Sequence, residues 1–143
     1  MSEENKTLVR RITDEIWNQG TLDVADEIID ASYVGHGFGV ELPPGPEGYK
    51  QFVSIYRTAF PDLQFTTEDQ VAEGDKVVTR WTARGTHKGE LMGIPATGKQ
   101  IVVTGIDIFR ISSGKVVEEW VNWDALGVMQ QLGVVPLMGE GGE

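Results

Sequence analysis

The amino-acid sequence predicts an α+β fold in which helices pack on one side of a curved antiparallel sheet. Apolar residues recur at helical spacing as far as residue 60, whereas residues 63–123 alternate as strands do. Neither a repeat nor a linker divides the 143 residues, so a single domain is expected over residues 1–143. The segment from about residue 137 to residue 143 is expected to be a mobile tail.

Two amphipathic helices are predicted at the start of the chain. Leu8, Ile12 and Ile16 recur every four residues on one face of the first helix, which is expected to end near Gly20. Residues 21–30 predict a second, shorter helix. Both helices are expected to cover the same side of the sheet.

A third helix is predicted after the proline- and glycine-rich segment 43–48, because proline is favoured in the first turn of a helix. Its apolar residues follow helical spacing and are Tyr49, Phe52, Val53, Tyr56 and Phe60. Pro61 ends this helix. The aromatic side chains are expected in the core, with a ligand-facing Tyr56 as the alternative.

Four strands rich in Val, Ile, Thr, Phe and Trp are predicted in the second half of the chain. They span residues 63–72, 76–87, 100–111 and 115–123. The last two are separated by Ser112-Ser-Gly114, which ends in glycine and predicts a hairpin with a three-residue turn. Asp124 then predicts the N-cap of a short final helix.

One acidic residue of the third predicted strand falls on an apolar face. Asp107 shares that face with apolar residues on both sides. The expected three-residue turn sets Asp107 opposite Glu119 and places Val121 and Trp123 on the same face. Two carboxyl groups in an apolar concavity do not both ionise, so one of them is expected to stay protonated near neutral pH. The alternative is a one-residue slip that turns either group to solvent and leaves Asp107 a structural role.

The other candidates for ligand contact lie on this face or in segments next to it. The odd positions of the strand over residues 76–87 face inward, and His87 at its end is expected at a solvated rim. The predicted ligand-contacting residues are Trp81, His87, Phe109, Val121, Trp123, Tyr56 and Tyr33. His36 lies on a glycine-rich stretch, where it is either a turn residue or a functional base.

The composition excludes several classes of function. The 22 acidic and 12 basic side chains leave a net charge of −10, which disfavours binding to nucleic acid or to an anionic membrane surface. The chain has no cysteine and its two histidines lack metal-ligand spacing, so no metal is expected. Residues 93–99 have phosphate-loop spacing, but a strand follows where that loop needs a helix. A cytoplasmic protein is expected, because no apolar run is long enough to span a membrane.

Several short strings resemble a known family. Three of them are Arg84-Gly-Thr-His-Lys-Gly89, Gly105-Ile-Asp-Ile-Phe-Arg110 and Gly114-Lys-Val-Val-Glu-Glu-Trp120. Together with the order of helices and strands, they resemble the SnoaL-like polyketide cyclase family of the nuclear-transport-factor-two-like superfamily, over about residues 6–136. The resemblance implies a cone-shaped fold whose strongly curved sheet and three helices enclose one deep pocket. It also implies a homodimer and a cofactor-independent enzyme that acts on an apolar small molecule.

The resemblance also implies where the chemistry lies. Characterised cyclases of the family close a polyketide ring by an intramolecular aldol step, using an aspartate on the last strand and a histidine on the strand before it. These two positions fall on Val121 and Asp107 here. The string Asp107-Ile-Phe-Arg is similar to the strand of ketosteroid isomerase that carries a protonated aspartate; the base of that enzyme falls near His36 and its tyrosine at Thr13. The implied roles are His36 as base, Asp107 as the acid that steadies an enolate oxygen, and Glu119 as the group that tunes Asp107.

Three functions are compatible with the sequence. The first is a polyketide or ester cyclase, or an isomerase-like enzyme, that transfers protons on an apolar carbonyl compound. The second is a binding protein that uses the same pocket without chemistry. The third is an epoxide hydrolase, which in this superfamily uses an Asp-Arg-Asp set. Arg80 and Arg84 are both expected to face away from the pocket, which places the hydrolase last.

Overall fold

Helices occupy most of the chain as far as residue 60, and most of the sheet follows them. The computed structural model describes residues 2–135. Its elements are α1 (Ser2–Arg11), which continues as a π-helix (Ile12–Asn18), α2 (Val24–Ile28), β1 (Ile29–His36), α3 (Pro46–Ala59), β2 (Gln64–Glu73), β3 (Lys76–Thr86), β4 (Gln100–Ser112), β5 (Lys115–Trp123) and α4 (Ala125–Leu132). The predicted α+β class is confirmed. The predicted tail lies outside the described residues.

A strand that the sequence did not predict, β1, forms one edge of the sheet. The strand order is β1-β5-β4-β3-β2, and β1 runs parallel to β5 while the other neighbours are antiparallel. The predicted helix over residues 21–30 is therefore wrong at its end, and the glycine-rich stretch around His36 is a strand. Ile29 pairs with Val116, far along the chain. Local spacing carries no signal for such a pairing, because the partner supplies the hydrogen bonds.

The turn between β4 and β5 is shorter than predicted. Ser112 pairs with Lys115, which leaves Ser113 and Gly114 as the two turn residues. Both have positive φ, 51° and 75°, which is typical of a type I′ turn. This turn suits a hairpin because its twist matches that of the two strands.

A bulge next to Arg110 then changes the register of the hairpin. Beyond it Asp107 pairs with Val121, and Glu119 pairs with Phe109. The predicted pairing of Asp107 with Glu119 is therefore wrong by two positions, because neither the short turn nor the bulge was foreseen. A shift of two positions keeps every side chain on its face. Asp107 and Glu119 thus both point to the inner face, as expected.

The helices cover the inner face of the sheet and leave the hydrophobic core between the two layers. Ile16 and Val53 are fully buried there. Asp124 caps α4 as predicted, since its side chain accepts a hydrogen bond of 2.9 Å from the Gly127 amide. Helix α4 packs on β4 at one end of the core. Within residues 2–135, no helix is long and apolar enough to cross a lipid bilayer.

Candidate active site

An aromatic cavity, here named the inner chamber, lies between the inner face of the sheet and three helical segments, namely α3, α4 and the π-helix that follows α1. Its volume is about 70 Å³. Its aromatic lining includes Trp17, Tyr49, Phe52, Tyr56, Trp81 and Trp123. Asp107 and Glu119 are the charged residues of this lining. A carboxyl pair in an otherwise apolar cavity is a candidate for catalysis.

Asp107 is held by the indole of Trp81 on the neighbouring strand. Trp81 pairs with Gly105 across β3 and β4, and a Cβ atom at Gly105 would lie 2.2 Å from the indole ring. Because Gly105 has no side chain, the indole ring of Trp81 can lie over β4. The indole Nε1–H then donates a hydrogen bond of 2.9 Å to Oδ1 of Asp107. Asp107 is only partly buried, so it is the accessible member of the pair.

Glu119 lies deeper than Asp107 and is held by a phenol. Only 3% of Glu119 is exposed, and the Tyr33 hydroxyl donates a hydrogen bond of 2.8 Å to its Oε1. The pairing of β1 with β5 sets Gly35 opposite Glu119, and this pairing brings Tyr33 to the carboxyl group. Glu119 is also hydrogen-bonded to Asp107. The contact between the two carboxyl groups therefore exists, although they are not opposite one another in the hairpin.

The two carboxyl groups hold their protons with different strength. Burial raises the pKa of Asp107 to about 6, against the hydrogen bonds from Trp81 and Glu119 that lower it. Burial also raises the pKa of Glu119 well above its ordinary value, and the negative charge of Asp107 raises it further. Of the two groups, Asp107 is therefore the one that ionises more readily, and Glu119 is the one that holds its proton more firmly.

His36 lies on the outer face of the sheet, away from the inner chamber. Its side chain is 45% exposed, its Nε2 lies 2.8 Å from Oε2 of Glu118, and its ring stacks on Trp120 at a centroid distance of 5.5 Å. The prediction of His36 as a base in the pocket is therefore wrong. The physical reason is alternation along β1, where Tyr33 and Gly35 take the inward positions and His36 the outward one.

The prediction that His87 lies at a solvent-exposed rim is also wrong. It is fully buried, because the chain after β3 folds back and pairs with it through the backbone of Gly98 and Lys99. Its Nδ1 accepts a hydrogen bond of 3.2 Å from the Thr97 amide, and its ring packs against Phe60. His87 therefore anchors a loop and does not line the inner chamber.

The remaining predicted ligand-contacting residues divide into two groups. Trp81, Tyr56, Val121 and Trp123 line the inner chamber. Phe109 is buried in the core, and Tyr33 reaches the site through Glu119. The alternative of a ligand-facing Tyr56 is therefore the one that the geometry favours.

Aromatic residues of the helices complete the site, although the sequence assigned them to the core or gave them no role. The Trp17 indole donates a hydrogen bond of 2.7 Å to the Tyr49 hydroxyl, and Tyr49 is almost fully buried. Burial raises the pKa of Tyr49, so its hydroxyl keeps its proton. A buried tyrosine needs a polar partner, and this need distinguishes Tyr49 from its neighbours Phe52 and Val53 in the sequence. Phe38, in the loop after β1, also lines the inner chamber.

The lining of the inner chamber contains no arginine. Arg80 and Arg84 are exposed, as expected, and Arg80 pairs with Asp69. Within residues 2–135, no group of three or more His, Asp and Glu side chains is arranged to hold a metal ion. The chemistry that the chamber itself offers is thus a carboxyl pair between aromatic walls.

Comparisons with known proteins identify the family. The family model of the SnoaL-like polyketide cyclases matches residues 7–132. The chain belongs to this family. The aklanonic acid methyl ester cyclase DnrD of Streptomyces peucetius is 34% identical over 130 residues, which cover 88% of each chain. The nogalonic acid methyl ester cyclase of Streptomyces nogalater is 29% identical over 124 residues, which cover 82% of this chain and 89% of the relative.

A solved structure extends this result to the fold. TsrD from Streptomyces laurentii matches with a TM-score of 0.84 at 32% identity, over 93% of this chain and 97% of that chain. The predicted SnoaL-like fold is confirmed, with β1 added to the predicted strands. Because the named relatives are cyclases, a cyclase-like enzyme is supported over a binding protein without chemistry. The homodimer stays a prediction.

Proposed function

We propose that this SnoaL-like protein is a cofactor-independent cyclase that closes a ring in a polyketide methyl ester by an intramolecular aldol reaction. The observation that carries the proposal is the carboxyl pair of Asp107 and Glu119 in the lining of an aromatic chamber, with Trp81 hydrogen-bonded to the first and Tyr33 to the second. The substrate class is taken from the relatives, whose names describe cyclases of aklanonic and nogalonic acid methyl esters.

Asp107 is the general base of the proposal. It is the accessible carboxyl group, and a base whose pKa of about 6 lies near neutral pH combines ionisation with useful basicity. It removes a proton from a substrate carbon next to a carbonyl group. The electron pair of the broken C–H bond moves into an enolate.

Glu119 is the general acid of the proposal. The enolate carbon attacks a second carbonyl carbon of the same molecule, so a C–C bond forms and the C=O double bond becomes a single bond. The oxygen that gains the electron pair takes the proton of Glu119. The proton now on Asp107 returns to Glu119 through the hydrogen bond between them. The product is an isomer of the substrate, and the step consumes no oxidant or reductant.

Three contacts support these roles. The Trp81 N–H stabilises the Asp107 carboxylate, and the Tyr33 hydroxyl orients Glu119. The aromatic walls suit a flat, apolar substrate and keep water from the enolate. Val121, on which the family's aspartate position falls, pairs directly with Asp107, so a carboxylate is supplied next to that position from the adjacent strand.

The proposal replaces the roles that the resemblance to ketosteroid isomerase implied. His36 is too far from the chamber to act as base, since it faces the opposite side of the sheet. Asp107 therefore takes the role of base, and Glu119 takes the role of acid because its pKa is raised the more strongly of the two.

Turnover of the two named esters tests the proposal. Aldol ring closure leaves the mass unchanged, so chromatography with mass detection and proton NMR distinguish it from hydrolysis or dehydration. Asp107→Asn is expected to lower kcat by at least about 100-fold, because the amide cannot take the proton. Asp69→Asn is the matched control, since Asp69 pairs with Arg80 outside the chamber. Wild-type turnover in Asp107→Asn would contradict the assigned base.

A further inference from the structure

A second cavity, here named the outer cavity, lies beside the inner chamber near β1. Its volume is about 280 Å³, four times that of the inner chamber. It is lined by Tyr33, Val34, Phe38, Val40, Leu42 and Pro43, with further proline and glycine. None of its lining residues carries a charge. The outer cavity therefore suits an apolar, uncharged group.

Phe38 borders both cavities. Its ring is buried and stacks on Phe52, with centroids 4.3 Å apart and planes 15° from parallel. Gly37 and Gly39 flank it, both at positive φ, 92° and 77°. No atom lies within 4 Å of a Cβ placed at Gly39. Gly37 packs against β5, where a Cβ would lie 2.2 Å from the Val121 carbonyl oxygen, so Gly39 is the glycine that lowers the backbone cost of turning the ring.

The inner chamber is too small for the proposed class of substrate. Its volume of about 70 Å³ is less than half of the ~150 Å³ cavity that holds benzene. A polyketide methyl ester carries at least a ring, an ester and a reacting carbonyl group. Only with the outer cavity does the space reach the lower limit of usual ligand pockets, about 300 Å³.

We infer that Phe38 is a gate and that the outer cavity is the subsite for the end of the substrate remote from the carboxyl pair. When the ring leaves Phe52, the two cavities join and a fused-ring or alkyl end occupies the outer one. The inference rests on the proposed function for the class of ligand. Tyr33 lines the outer cavity and holds Glu119, so a group bound there also contacts the residue that positions the acid.

Opening the gate breaks the stack of Phe38 on Phe52. An aromatic pair of this kind contributes up to about a tenfold factor in an equilibrium constant. A large ligand has to offset this cost, whereas a ligand that fits the inner chamber does not. The effect of Phe38 on affinity is therefore expected to depend on ligand size.

Two methyl esters of different size test the gate. Methyl acetate has no ring and is smaller than benzene, whereas the methyl ester of anthraquinone carboxylic acid has three rings. Quenching of tryptophan fluorescence measures their Kd, because Trp17, Trp81 and Trp123 line the inner chamber. Phe38→Ala is expected to tighten binding of the anthraquinone ester by about tenfold and to change the Kd of methyl acetate by a clearly smaller factor.

A variant that fills the outer cavity tests the subsite itself. Val40→Phe is expected to weaken binding of the anthraquinone ester by about tenfold and to leave the Kd of methyl acetate within about twofold. Val71→Phe is the matched control, because Val71 is an exposed valine of β2 that borders neither cavity. Thermal unfolding checks that each variant is folded. If Phe38→Ala does not fold, Phe38→Leu removes the stack while keeping apolar bulk.

Equal effects of Phe38→Ala on both esters would overturn the gate. Unchanged binding of the anthraquinone ester to Val40→Phe would overturn the subsite. The subsite would also be overturned if the anthraquinone ester bound neither the wild type nor Phe38→Ala. The proposed function fails by a different observation, namely wild-type turnover in Asp107→Asn. The two failures are distinguishable, because the gate is measured by binding and the carboxyl pair by turnover.

Discussion

Glu118 and Glu119 are neighbours on β5, yet the two faces of the sheet shift their pKa values in opposite directions. Glu118 points outward, where hydrogen bonds from His36 and Arg110 lower its pKa. Glu119 points inward, where burial and the charge of Asp107 raise its pKa. The same type of side chain therefore gives up its proton more readily on one face and less readily on the other.

The comparison shows that the direction of the pKa shift depends on the face of the sheet to which a glutamate points, and not on the residue type alone. Successive side chains of a strand point to opposite faces, so one step along β5 exchanges solvent and a cation for an apolar chamber and a second carboxyl group. His36 follows the same rule, since its imidazole serves Glu118 and not the chamber.

The largest expected effect separates the two glutamates by turnover. Glu119→Gln is expected to lower kcat by about 100-fold, because an amide keeps the hydrogen bonds but delivers no proton to the forming alkoxide. Glu118→Gln is expected to stay within about twofold of the wild type. Steady-state turnover of the aklanonic ester measures both. Similar losses in the two variants would remove the distinction between the faces.

The pH dependence of kcat/KM sharpens the role of Asp107. The value is expected to fall as the pH drops below about 6, because protonation removes the base. In Trp81→Phe this fall is expected at a pH about one unit higher, since the lost N–H had lowered the pKa of Asp107. A fall at the same pH in both proteins would show that Asp107 is not the titrating group.

The contributions of Asp107 and Glu118 to the free energy of unfolding are expected to change with pH in opposite directions. The pKa of Asp107 is about 6 in the folded chain and about 3.9 unfolded, so its stabilising contribution is present below pH ~4 and lost as the pH rises through about 6. Relative to Asp107→Asn, the wild type is expected to lose on the order of 2 kcal/mol of unfolding free energy over that range.

Glu118 supplies the matched comparison for this measurement. Its pKa is lowered in the folded chain, so its contribution is present above the unfolded pKa and lost as the pH falls through the folded one. Urea unfolding of the wild type, Asp107→Asn and Glu118→Gln at several pH values measures both trends. Trends of the same sign would contradict the assigned environments.

The smallest expected effect is that of His36→Ala on turnover. His36 contacts Glu118 and Trp120 on the outer face, so kcat is expected to stay within about twofold of the wild type. The same assay measures this variant. A loss as large as that of Glu119→Gln would mean that the outer face takes part in the chemistry.

Local patterns predicted most of the secondary structure. The four predicted strands agree with β2 to β5 within one residue at each end, and α3 begins at Pro46, inside the proline-rich segment 43–48 that was expected to precede it. Asp124 caps α4 as its type and position indicated. These features depend on neighbouring residues alone, through the period of two in strands and the preference for Asp at a helix start.

Long-range pairing accounts for the errors. β1 exists because β5 pairs with it, and His87 is buried because the chain near Gly98 folds back over it. The hairpin register depended on a bulge next to Arg110, and no sequence pattern around Arg110 predicts this bulge. In each case the deciding partner is outside the segment that was interpreted.

By itself the sequence determined that two carboxyl groups share the apolar face of adjacent strands, because alternation is local and a shift of two positions does not alter it. Only the tertiary structure decided which of them holds its proton more firmly. Trp81 reaches Asp107 from β3, Tyr33 reaches Glu119 from β1, and the fold buries Glu119 more completely than Asp107. Desolvation and hydrogen bonding depend on what surrounds a group in space, and chain neighbours do not report it.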